Sequence, residues 1–153
     1  MYKAGLLLLA MLLAGCSSMH EAPLVAYSTQ VALADTAIFS SFDELSAATN
    51  DSHVLLVDEK KLSAYDDGNP YWVRVLPGDH KFRVRYAVNQ RLGDGSASAW
   101  AFLDIDVDDM KPRHVYVTRY AESDGRVRMH VEDLGELTSY SISPHKETFK
   151  TGF

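Results

Sequence analysis

The 153-residue chain has one cysteine, five prolines and fewer basic than acidic side chains. A single cysteine, Cys16, excludes an internal disulfide framework. The apolar run from Ala4 to Leu13, interrupted by Gly5, is about half the length a helix needs to cross a bilayer core, roughly 20 residues. Fifteen Lys and Arg face 21 Asp and Glu, and the formal net charge of −6 disfavours nucleic acid and anionic lipid headgroups as partners. The sequence has no G-x-S-x-G elbow for a serine nucleophile. The six histidines, His20, His53, His80, His114, His130 and His145, show neither H-x-x-x-H nor H-E-x-x-H spacing, so a zinc site has no local support. "LGDGSAS" (92–98) lacks the lysine and following helix of a phosphate-cradling loop and reads as a hairpin loop. These absences lead to an expectation of no catalytic residues, no metal and no cofactor.

What is present begins at the N-terminus. Lys3, the apolar run, the small residues Ala14 and Gly15, and then Cys16 follow the order of a secretory signal peptide: basic, apolar, small. "LAGC" (13–16) resembles the lipobox of bacterial lipoproteins. The resemblance implies that a diacylglyceryl group joins the Cys16 sulfur, that the chain is cut after Gly15, and that the new amine is acylated. An alkylated sulfur is no longer a reactive thiol, and two or three acyl chains give stable anchoring. Residue 17 is Ser where the resembled sorting pattern uses Asp for inner-membrane retention. The expected location is therefore the outer membrane, lipid-anchored and facing the periplasm. Removing residues 1–15 takes Lys3 with it, leaving 138 residues at a formal charge of −7. That length suits one domain with a real core.

Residues 16–30 carry no sustained period and are expected to be a lipidated tether. In "SSFDELSAATND" (40–51), Ser41 and Glu44 have capping-box spacing, and Phe42, Leu45 and Ala48 share a helical face, so a short helix is expected. From residue 53 the period becomes two. "HVLLVD" (53–58) is a β-rich run, and "YWVRVLPGDHKFRVRYAV" (71–88) holds two runs around "PGD". "ASAWAFLDIDVDD" (97–109) alternates, and "HVYVTRYAESDGRVRMHVEDL" (114–134) reads as a hairpin turning at "SDG". Strict alternation marks half-buried strands. The expected fold is mainly β: an antiparallel β-sandwich of about six or seven strands over 31–134. Residues 135–153 are weakly patterned and expected to be a partly ordered C-terminal tail.

"LLVDEKKL", "VRVLPGDHKFRVRY", an acidic strand and "KPRHVYVTRY" follow one another in an order that resembles the small PEGA-like domains of bacterial lipoproteins, over roughly residues 53–133. The resemblance implies a β-sandwich accessory module and says little of activity. It places a recurrent histidine where His80 stands. Asp58-Glu59-Lys60 and Pro112-Arg113 depart from the pattern, which commonly has a glycine at each of these places.

"DIDVDD" offers Asp104, Asp106, Asp108 and Asp109, but a calcium loop started at Asp104 would have Asp109 at its glycine position and Val115 at its glutamate position. Paired across a hairpin, the acids instead face the stripe Lys81, Arg83 and Arg85 as a charge ladder. Trp100 and Phe102 share the parity of Asp104 and should point outward. Trp72 shares parity with Arg74, and Tyr116 and Tyr120 alternate with valines. Trp72, Trp100, Phe102, Tyr116 and Tyr120 are thus a candidate binding face. Such rings suit a protein contact or sugar stacking, unless the helix or the tail covers them. The function expected is a non-enzymatic structural or protein-interaction module with an envelope protein as partner, held to the membrane by the lipid on Cys16. A glycan- or peptidoglycan-binding module is the alternative, and an envelope hydrolase has the least support.

Overall fold

A computed structural model describes residues 22–45, 52–62, 70–92, 95–124 and 126–153, with backbone alone for 88–92, 95–99 and 122. Alternating apolar residues build two packed sheets. The strands are β1 (Leu24–Val25), β2 (Ala37–Ser40), β3 (His53–Val57), β4 (Lys60–Lys61), β5 (Trp72–Val75), β6 (Gly78–Leu92), β7 (Gly95–Met110), β8 (His114–Ser123), β9 (Arg126–Glu136), β10 (Ser139–Ile142) and β11 (Phe149–Gly152). One sheet has the order β1-β5-β2-β8-β9 and the other β4-β3-β6-β7, while β10 and β11 pair separately. The protein is mainly β, a sandwich without barrel closure. Most pairings are antiparallel as expected, but β1 with β5 and β2 with β8 are parallel. The parallel contact between β2 and β8 arises because the chain crosses to the other sheet and back between them.

Phe39 of β2 and Phe82 of β6 stack at the centre of the sandwich, centroids 3.8 Å apart and 6° from coplanar. Val54, Val73, Val75, Val84, Ile105, Val107 and Met110 complete that interior. A second cluster lies on the opposite face of the five-stranded sheet, where Ile38, Trp72, Val115 and Val117 pack with Ile142, Tyr140, Phe149 and Phe153. The last four of these residues come from β10, β11 and their flank, so the stretch read as a partly ordered tail is a hairpin laid over the sheet. Its strands of four residues each are too short for alternation to stand out. Arg74, 3% exposed, fastens the hairpin. Its guanidinium donates to Thr36 Oγ1 (2.9 Å), Thr151 Oγ1 (3.0 Å) and the Gly152 carbonyl (2.9 Å), and lies 5.2 Å from the Phe153 ring centre. Burial holds this guanidinium below its ordinary pKa.

The turn at Asp58-Glu59 and the residue Arg113 adopt left-handed backbone, with φ of 50°, 64° and 63°. None of the three is a glycine, so a left-handed backbone is held here on residues that carry a Cβ. Half of the helix expected over 40–51, residues 46–51, lies outside the described residues. Within them, Ser41 is not a helix cap: its hydroxyl donates to the Tyr71 carbonyl (2.8 Å) or the Ser52 carbonyl (3.1 Å). Asp43 accepts the Leu45 N–H at 3.0 Å.

Candidate functional site

The hairpin β6–β7 carries the charge ladder in the expected register. Lys81 pairs with Asp106 (3.7 Å), and Arg83 holds Asp104 through two bonds of 2.6 and 2.8 Å. The Arg83 bond keeps the Asp104 carboxyl below the usual carboxylate range. One step further toward the turn the pattern changes. Arg85 faces Phe102 instead of an acid, and its guanidinium lies 4.4 Å from the ring centre of Trp100. Ion pairs give way to a cation–π stack at the point where the hairpin runs past the end of β3.

The five rings nominated as a binding face do not share one. Trp100 and Phe102 are 47% and 63% exposed. Trp72 is fully buried beneath the C-terminal hairpin, its ring 6.0 Å from Tyr140. Tyr116 belongs to the sandwich interior, where its hydroxyl accepts the Lys111 N–H at 2.9 Å. Tyr120 is half-buried and stacks on Tyr86 with centroids 4.3 Å apart, and burial raises its hydroxyl pKa strongly. The parity argument failed for these three because it assumed one solvated face per sheet. β8 is buried on both faces from Val115 to Thr118. Leu45, 82% exposed, was assigned to a helix face and missed as a surface residue. Asp43 ties it to the exposed rings' end of the molecule by accepting from Arg119 (2.8 Å) and from the Tyr120 N–H (3.2 Å).

The histidines are dispersed. His80 sits in its turn between Asp58 (2.8 Å) and the Leu76 carbonyl (2.7 Å). His114 bonds Asp133 at 3.0 Å, His145 bonds the Tyr71 hydroxyl at 2.8 Å, and His53 stacks on Tyr71 with centroids 4.6 Å apart. His114 and His130 do not meet across their hairpin, since their partners in register are Glu136 and Arg119. Among the described residues, no group of three or more His, Cys, Asp or Glu is placed to hold a metal ion. A cleft of about 550 Å³ opens beside β1 and β4, with Leu24, Tyr27, Leu62 and Val75 in its walls. Cys16 lies outside the described residues. Compared with known proteins, the chain matches no family model, no curated protein and no solved structure.

Proposed function

We propose that the protein is a non-enzymatic, lipid-anchored envelope lipoprotein of the outer membrane, facing the periplasm and serving as a structural or protein-interaction module. The anchoring half of the reading rests on "LAGC" behind a basic residue and an apolar run of signal-peptide length. The interaction half is carried by one observation: exposed Trp100 and Phe102 lie on β7, a 16-residue strand at the margin of its sheet. A margin strand offers unpaired backbone groups to a partner strand, and exposed rings add apolar area beside them. The glycan-binding alternative keeps only two of its five rings, and one of them already stacks on Arg85. No second reading is favoured over the first.

The anchoring test is Cys16→Ser in a bacterial host. The variant is expected to lose labelling by a fatty-acid probe and to leave the membrane fraction or accumulate uncut. Unchanged labelling would reject Cys16 as the acylation site. For the partner, crosslinking from β7 in intact envelopes is expected to capture a protein. Retention on purified peptidoglycan that disappears in Trp100→Ala would instead select the glycan alternative.

A further inference from the structure

The sandwich is open along one side. β1 and β4 are sheet edges there, and each is only two residues long. The cleft between them, about 550 Å³, falls within the size range of small-molecule sites, roughly 300–1,000 Å³. Its depth is apolar. Val57, Leu62 and Val75 in its wall are 4%, 6% and 1% exposed, and Leu24 packs against the same interior cluster. The cleft therefore leads from solvent to residues of the main core.

The rim carries the sign of charge that the protein as a whole lacks. Lys60 is in register with Val57, and directly opposed residues share a face of their sheet. Leu62, two residues on, has the same parity. Lys60 is thus an exposed cation on the core-facing side of its strand, between two buried apolar residues. Lys61 stands next to it in the lining. Among the described residues the lysines in ion pairs are Lys81 and Lys111, not these two. Across the cleft, the segment after β1 adds the hydroxyl-bearing Tyr27, Ser28 and Thr29. Asp58 is the one acid among the described residues of the lining, and both its oxygens are already bonded. Oδ2 meets the His80 ring at 2.8 Å, and Oδ1 accepts the Lys81 N–H at 3.0 Å. The Lys60 charge helps hold that carboxyl low from beyond ion-pair distance.

We propose that the cleft is a binding site for a small amphipathic anion, a monoacyl carboxylate whose aliphatic tail lies over Val57, Leu62 and Val75 and whose headgroup meets Lys60 and Lys61. The site stands apart from the anchor on Cys16 and from the exposed rings of β7. Aliphatic walls beneath a cationic rim match a ligand with an apolar body and one negative end. An ammonium is a compact charge with three rotatable donors, suited to a carboxylate approaching from the mouth. A peptide strand fits less well, because strand addition draws its affinity from edge backbone and these edges offer two residues each. An inward lysine on a short edge also discourages pairing with another chain. That role needs no apolar cleft beneath the lysine, and here there is one.

The test uses the full chain in lipid nanodiscs, with its Leu and Val methyl groups isotope-labelled and octanoate as the probe. Octanoate is expected to shift the methyl signals of Leu24, Val57, Leu62 and Val75 saturably and to leave those of Leu45, Val115 and Val117 in place. Octan-1-ol and octylammonium should bind much more weakly. Lys60→Gln/Lys61→Gln should weaken octanoate binding about tenfold, as the loss of charge-assisted hydrogen bonds does. The melting temperature without probe should stay at the wild-type value, because both lysines are exposed. Shifts that grow without saturating, or binding unchanged in the variant, would overturn the proposal. So would octan-1-ol or octylammonium binding as tightly as octanoate. Saturable binding of an acidic peptide with no response to octanoate would overturn it in favour of a peptide groove. A chain that stays outside the nanodiscs can be titrated in the same way, so failure of the anchor and failure of the cleft are read separately.

Discussion

The two sheets of the sandwich differ in what covers their outer faces. The four-stranded sheet buries one face and turns the other to solvent, so β6 and β7 alternate cleanly between Phe82, Val84, Ile105 and Val107 inside and Lys81, Arg83, Asp104 and Asp106 outside. The five-stranded sheet is buried on both faces where β10 and β11 lie over it, and every residue of β2 and β5 is inaccessible. The same two-residue period therefore means different things in the two sheets. Beneath the hairpin, a polar residue between apolar ones is a buried hydrogen-bonding group, as with Arg74, rather than a solvated one.

The largest effect that separates the sheets is at the tryptophans. Trp72→Ala removes an indole from a fully buried site and should cost about 3–5 kcal/mol of unfolding free energy in urea, as large core truncations do. Trp100→Ala should stay within about 0.5 kcal/mol of wild type. Similar losses at both positions would erase the distinction between the faces.

Ile142→Ala tests whether the C-terminal hairpin is part of the core. A docked hairpin predicts a loss of about 2–5 kcal/mol, since Ile142 is fully buried against the sheet. A loss no larger than that of a surface substitution would mean that the hairpin does not cover Trp72.

Acid should act on the turns that close the sandwich. Burial alone would raise the carboxyls of Asp58 and Asp133. Bonds from the Lys81 N–H and His80 to Asp58, and from the Gly135 N–H and His114 to Asp133, outweigh it and hold both below the ordinary value of 3.8. A lowered folded-state pKa stabilises fully above the unfolded value, and that stabilisation is lost as pH falls through the folded value. Stability should fall below about pH 4, and Asp58→Asn should flatten part of that fall. An unchanged profile in the variant would remove Asp58 from the account.

The smallest effect belongs to the ladder. Asp104 and Asp106 are exposed, so Asp104→Asn/Asp106→Asn should barely move the melting temperature at physiological salt, and calcium should leave the wild type unchanged. A calcium-dependent rise lost in the double variant would make this strand a cation site.

The legible part of the molecule was the part with one wet face. The register of Lys81 with Asp106 and of Arg83 with Asp104 follows from alternation plus a turn between them, and so do the outward rings Trp100 and Phe102. Trp72, Tyr116 and Tyr120 were misread because what covers each is distant in sequence: Tyr140 for Trp72, the inner cluster around Phe39 and Phe82 for Tyr116, and Tyr86 for Tyr120. The parallel pairing of β2 with β8 was equally invisible, since no local pattern announces a crossover through a second sheet.

Acrylamide quenching of the two tryptophans tests the contrast between the sheets most directly. In the free protein, wild type minus Trp100→Phe isolates Trp100, and the Trp100→Phe variant reports Trp72 alone. The account predicts a red-shifted, readily quenched Trp100 and a blue-shifted Trp72 that acrylamide scarcely reaches until the protein is unfolded. A Trp72 as accessible as Trp100 in the native state would contradict it.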